Sequence, residues 1–211
     1  MAENFYFSSK QMRQVPEIIK ALWRTPVWRI KSAEKVIYLT FDDGPNPQVT
    51  PKVLDVLDQW NVKATFFCVG ENVMKSPGIF QEVKKRGHSV GNHTYNHLRG
   101  HKTSVREYSE NVWKAHELIQ SSLFRPPHGR ITFRQVNKLK KDFEIIMWDF
   151  ITYDFDRRVK PAEILNEIKK RSRSGSVVVF HDSEKAHSNV LATLPDALKF
   201  WKENGYEVKA I

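Results

Sequence analysis

The chain has 211 residues, 40% of them hydrophobic and 27% charged, with a formal net charge of +10 and a single cysteine. That length suits one domain with a well-buried core. No apolar run approaches the ~20 residues of a membrane-spanning helix, and one cysteine excludes an internal disulfide. The basic residues are dispersed and fall in no nucleic-acid-binding motif, so they read as a basic surface without a nucleic-acid partner.

Residues 1–33 carry Pro16, Pro26, Phe5, Trp23 and Trp28 without periodicity. They are expected to form an N-terminal extension packed on the domain that follows, 34–211. The first twenty residues lack the apolar core and small-residue cleavage site of a secretory signal. The expectation is therefore a cytoplasmic protein unless a leader has been trimmed, with the cell envelope as the alternative, and a monomer. From Lys35 onward, apolar runs of strand length alternate with helical patterns. The predicted strands are Val36–Phe41, Ala64–Val69, His88–Gly91, Leu123–Pro126, Glu144–Asp149, Ser176–Phe180 and Tyr206–Ile211. Several are apolar at successive positions, as strands buried on both faces are. Cys68 falls in one of them and reads as a buried thiol.

Six helices are predicted between the strands. Thr50-Pro51 and Ser76-Pro77 open two, and Gly87 closes the second. Ser104 with Glu107, and Thr132 with Gln135, have the spacing of capping boxes. Lys160-Pro161 opens another, whose end at 169–173 is cationic, as suits a helix C-terminus. The last ends near Gly205. Strands joined by crossover helices imply a parallel sheet. The chemically suggestive residues all fall just past strand ends, which a ring of strands brings to one mouth. The expected fold is thus α/β, a distorted, incomplete (β/α)7-type barrel.

Asp42 and Asp43 end the first strand before Gly44. The pair is either an ordinary Asp-Gly turn or a site where a cation offsets two adjacent acids. His93 and His97 are four residues apart, a spacing that places both on one face of a helical turn, either as surface histidines or as ligands of one metal. Asp43 would complete a set of two nitrogens and one carboxylate. Arg125, in Arg-Pro-Pro-His-Gly-Arg, sits in a stiffened loop and could hold a carboxylate bidentately. His181 ends the strand Ser176–Phe180. His88, His101, His116 and His187 lack such company and read as surface or packing residues.

Thr-Phe-Asp42-Asp43-Gly-Pro, His93-Thr-x-x-His97, Arg125-Pro-Pro-x-Gly and an apolar strand ending in His181 occur in this order between Lys35 and Ile211. Together they resemble the polysaccharide deacetylases of carbohydrate esterase family four, the NodB-type homology domain. The resemblance implies a distorted barrel and removal of acetyl groups from an N-acetylated glycan such as peptidoglycan N-acetylglucosamine or chitin oligomers. It implies one divalent metal, zinc first, with cobalt, nickel or manganese as alternatives. By position, Asp43, His93 and His97 would be the ligands, Asp42 the general base, Arg125 its orienting partner, His181 the general acid and Asp154 the carboxylate that tunes it. Val179 would line an acetyl pocket, with His128 and Phe155 on the cleft wall. Several positions depart from the family pattern: His128 for tyrosine, Ile151 for aspartate, Phe155 for tryptophan, Val179 for leucine and Leu98 for proline. Alternatives are a catalytically retired carbohydrate-binding domain, an O-acetyl esterase on a xylan-like polymer, and a glycosidase using paired carboxylates.

Overall fold

The computed structural model describes residues 13–211. Phe5, expected to pack with the other early aromatics, lies outside the described residues. The strands are β1 (Val36–Asp42), β2 (Thr65–Cys68), β3 (Ser89–Asn92), β4 (Leu123–Phe124), β5 (Glu144–Ile145), β6 (Phe150–Ile151), β7 (Ser176–His181) and β8 (Glu207–Lys209). All pairings between them are parallel. The order is β5-β4-β3-β2-β1-β7-β6, with β8 added to β1. The helices are α1 (Glu17–Leu22), α2 (Thr50–Gln59), α3 (Gly70–Lys75), α4 (Pro77–Lys85), α5 (Val105–Ile119), α6 (Phe133–Leu139), α7 (Pro161–Arg171) and α8 (His187–Glu203). No helix among the described residues is long and apolar enough to cross a membrane.

The predicted strand Glu144–Asp149 is corrected here: only Glu144–Ile145 (β5) is strand, and β6 (Phe150–Ile151) begins just past the predicted end, with the two at opposite ends of the row. Only residues 146–149 join them, so the row must curl until its ends nearly meet. The joint is itself bonded to both sides, with Ile146 N donating to Phe124 O and Asp149 N to Val177 O. This is the incomplete barrel expected from the sequence. The strand breaks because its chain changes partner, from β4 to β7, part way along.

Register explains where the chemistry goes. Phe41 is paired with Phe66 of β2 and Phe180 of β7. Its ring stacks on Phe66 at 4.9 Å and lies 6.0 Å from Phe180. All three are buried in the cluster that also takes residues of α2, α4, α7 and α8. Successive strand residues face opposite sides. The next row, Phe67, Asp42 and His181, therefore faces the barrel interior at its C-terminal end.

Lys160-Pro161 and Thr132 with Gln135 act as helix starts, the latter as a full capping box. Ser104 also caps its helix, accepting from Glu107 N.

The N-terminal segment meets the seam between β5 and β6. Val27 N donates to Ile145 O, Val27 O accepts from Met147 N, and Ile30 N donates to Gly175 O. Trp23 and Trp28 are buried. Beneath them Asp149, without solvent exposure, is held by Lys20, by Ser176 Oγ at 2.8 Å and by Arg173, whose Nε is 2.8 Å from Oδ2. Burial would raise the Asp149 pKa, but hydrogen bonds from Arg173 and Lys20 outweigh it and hold the carboxyl well below its usual range. Removing one member of a buried ion pair costs roughly 3–5 kcal/mol. Asp149→Asn should therefore lower unfolding stability by about 3 kcal/mol near neutral pH in denaturant titrations. A depressed carboxyl stabilises above its unfolded pKa of ~3.9 and loses that contribution as pH falls through the folded value. The gap between wild type and variant should thus stay constant above about pH 5 and narrow below about pH 4.

Candidate active site

Arg125, just past β4, has no solvent exposure. Its Nη1 donates to Asp42 Oδ1 at 2.6 Å and to Thr40 Oγ1 at 2.7 Å, Nε to Ile146 O at 3.2 Å and Nη2 to Met147 O at 3.0 Å. The guanidinium lies over the Phe67 ring, 4.0 Å from its centroid. Burial lowers its pKa, and the Asp42 carboxylate offsets only part of that effect. The predicted bidentate grip on a carboxylate is corrected: only one oxygen of Asp42 is held, because the fork is shared with two main-chain carbonyls. Oδ2 of Asp42 makes no hydrogen bond among the described residues.

Asp43 adopts φ 80, a left-handed conformation that turns it away from the strand direction of Asp42. The turn is held from two sides. Asn72 Nδ2 donates to Asp43 O at 2.7 Å. Asp182 accepts from Gly44 N at 3.0 Å and from Thr50 Oγ1 at 2.6 Å. A Cβ at Gly44 would sit 2.0 Å from an Asp182 oxygen, so only glycine fits. Burial raises the Asp182 pKa to about 7, with the Asp43 charge adding to the effect.

His93 and His97 do meet, but not on a helical turn as their spacing suggests. The segment after β3 is irregular, with Thr94 at φ 64 and His97 at φ 57. Asn92 Oδ1 accepts from Thr94 N at 2.9 Å, Asn111 Oδ1 from Tyr95 N at 2.9 Å, and Thr94 Oγ1 from Leu98 N at 3.0 Å. Side-chain bonds replace the missing helical ones. His97 Nε2 lies 3.2 Å and His93 Nε2 3.6 Å from Asp43 Oδ1, and the three ligand atoms are within 4.8 Å of one another. Bond lengths of ~2.0–2.2 Å in a tetrahedral zinc site put ligands roughly 3.4 Å apart, so the trio fits a zinc-sized ion. The ring orientation fits too. His93 Nδ1 is 2.7 Å from Arg125 O and must be the donor, which leaves Nε2 as a lone-pair donor to a metal. Burial pushes the His93 pKa down to about 4, keeping it neutral. Burial would raise the pKa of Asp43, but the His97 hydrogen bond and the charges of the surrounding histidines hold it below its usual range. Neutral imidazole and ionised carboxylate are the metal-binding forms.

On the other flank, His181 Nδ1 donates to Asp154 Oδ1 at 2.8 Å and its main-chain N to Oδ2 at 2.8 Å. Thr152 Oγ1 adds a third bond, at 3.1 Å. Asn189 pins the loop by donating to the carbonyls of Asp154 and Val159. Burial lowers the imidazole pKa, but the Asp154 charge and hydrogen bond win and raise it to about 9. Phe155 meets His181 edge-on, with centroids 4.8 Å apart. Ile151 is half-buried beside Val179 in the β6–β7 pairing. Val179 itself is fully buried, so it could meet a bound acyl group only from beneath. His128 is exposed at φ 60, its ring edge-on to His97 with centroids 4.6 Å apart.

The structure thus brings Asp42, Asp43, His93, His97, Arg125, Asp154 and His181 to one mouth. Sequence reasoning missed Asp182, Asn72, Asn92 and Asn189, which hold the turns in place. Asn92 and Asp182 are polar residues at the ends of apolar strands, a pattern that could have marked them.

Residues 29–144 match the family described as polysaccharide deacetylase. A peptidoglycan-N-acetylglucosamine deacetylase of Bacillus cereus is 34% identical over 85% of this chain and 87% of its own. The peptidoglycan-N-acetylglucosamine deacetylase PgdA of Listeria monocytogenes is 33% identical over 94% of this chain, which spans only 40% of that longer protein. The crystal structure of the Bc1960 peptidoglycan N-acetylglucosamine deacetylase superposes with a TM-score of 0.86 at 30% identity, covering 91% of this chain and 94% of that one. The chain belongs to the polysaccharide deacetylase family.

Proposed function

We propose that the protein is a metal-dependent N-deacetylase that releases acetate from an N-acetylated glycan, with N-acetylglucosamine-containing polymers as its substrates. The observation that carries this reading is one arrangement: a three-ligand cluster flanked by an arginine-held carboxylate and a carboxylate-held histidine. The names of its relatives, peptidoglycan-N-acetylglucosamine deacetylase and chitooligosaccharide deacetylase, support the substrate class.

Asp43, His93 and His97 would hold the metal, and two nitrogens with one carboxylate suit zinc. When bound there, a divalent cation supplies Lewis-acid polarisation and charge stabilisation. Asp42 takes a proton from the attacking water at Oδ2, while the Arg125 hydrogen bond to Oδ1 fixes the position of the carboxylate. The main-chain N–H of His128 makes no hydrogen bond within the described residues. Held between Pro127 and the left-handed Gly129, it is a preset donor for the developing oxyanion. His181, protonated because Asp154 faces Nδ1, delivers a proton from Nε2 to the departing amine.

The direct test is acetate release from N-acetylglucosamine oligomers and from peptidoglycan, using metal-stripped, zinc-loaded and cobalt-loaded protein. Release should require metal and be abolished by chelator. Zinc-loaded protein that frees no acetate from any of these substrates would overturn the reading. Asp42→Asn should retain bound metal while losing about 10²–10⁴-fold in kcat. Asp43→Asn should instead lose metal, measured as zinc per chain after dialysis. The pH profile offers a third check. Activity that needs protonated His181 declines as pH rises through its pKa, which stands at about 9 with Asp154 present. Asp154→Asn should move that alkaline limb to lower pH, by about one to three units.

A further inference from the structure

Arg99 lies two residues past His97, on the wall of the mouth. Its Nε donates to His128 Nε2 at 3.3 Å, and His128 in turn packs on His97. One side chain therefore separates the guanidinium from the candidate metal centre. Arg99 is exposed, and its two terminal nitrogens make no hydrogen bond or ion pair among the described residues.

Its position is built into the fold. Gln135 Nε2, from α6, donates to Gly100 O at 2.8 Å and to Thr103 O at 3.1 Å. Thr103 Oγ1 donates to Arg99 O at 2.9 Å. A Cβ at Gly100 would fall 2.7 Å from Arg130 O, so the two loops are in close contact. The chain offers Arg99 no local counter-charge: residues 91–104 and 123–141 contain no aspartate or glutamate, while carrying Arg99, Lys102, Arg130 and Arg134.

A guanidinium whose Nε is engaged presents its two terminal nitrogens end-on. That pair matches the two oxygens of a carboxylate. A neutral N-acetylated glycan has no group for it. A glycan whose acetamido sugars alternate with carboxylate-bearing sugars does. We infer that Arg99, braced by His128, is a carboxylate-binding position that makes the enzyme selective for acidic N-acetylated glycans, an inference that rests on the deacetylase reading above.

The test compares two matched substrates with the zinc-loaded protein. One is an oligosaccharide alternating N-acetylglucosamine with N-acetylmuramic acid. The other is the same oligosaccharide with its lactyl carboxylates converted to methyl amides. Because Arg99 is exposed, kcat/KM for acetate release should favour the acid form by about tenfold, and the preference should shrink as salt rises. Arg99→Gln should bring the ratio to about one by lowering kcat/KM on the acid form, and Arg99→Lys should retain part of the preference. A ratio near one in the wild type overturns the inference. So does an equal loss on both substrates in Arg99→Gln, which would mark a structural role. Acetate from neither substrate, nor from a chito-oligosaccharide, would sink the deacetylase reading itself and this inference with it.

Discussion

A guanidinium without solvent exposure has to find acceptors for its donors, and Arg125 finds four of them on two distant parts of the chain. Its side chain joins Thr40 and Asp42 of β1 to the carbonyls of Ile146 and Met147 in the barrel seam, over the face of Phe67 from β2. Its own carbonyl orients His93. One residue thus sets the position of the candidate base, the tautomer of a candidate metal ligand and the position of the seam. Desolvation opposes the charge, so the site exists only while that whole set of partners is assembled. This ties the chemistry to the completed fold, because no two of the partners are near one another in sequence except within β1 and within the seam.

The mouth is also where the backbone departs most from regular structure. Among the described residues, seven non-glycine positions are left-handed, and Asp43, Thr94, His97, His128 and Tyr153 all follow strands that open on the site. Each such residue costs about 1–3 kcal/mol. What offsets them are short polar side chains aimed at main-chain groups: Asp182 on Gly44, Asn72 on Asp43, Asn92 on Thr94. The candidate ligands are consequently aimed by the turns and not by regular secondary structure, which explains why three donors from two separate loops converge within 4.8 Å.

Much of this was legible in the sequence, and the parts that were not share a cause. The apolar runs of β1 and β7 have no competing reading, and their ends carry Asp42 and His181 in register. The helix starts at Pro51, Pro77 and Pro161 follow from local chemistry alone. The spacing of His93 and His97 was correct as a sign of convergence but wrong as geometry, because a four-residue interval looks the same on a helix and on a turn held by Asn92 and Asn111. The early end of the fifth strand was hidden for a similar reason: residues 144–151 are continuous in composition, and only a change of neighbours separates β5 from β6. The Lys20–Asp149 ion pair and the contact of Asp182 with Gly44 join residues more than a hundred positions apart, beyond the reach of any local pattern.

The four-residue seam has a further consequence. Ile146 and Met147 hold Arg125 from one side, the Trp148 ring lies where a Cβ on Gly129 would be, and Asp149 is gripped by Lys20 and Arg173. A segment well before the first strand is therefore mechanically in series with Arg125 and with the loop that carries His128. Among the described residues, the N-terminal arm reaches the mouth only through the seam, so its docking bears on the alignment of the candidate site groups. A substitution that loosened the arm would therefore be felt at the mouth through the seam, although the arm carries none of the candidate site residues.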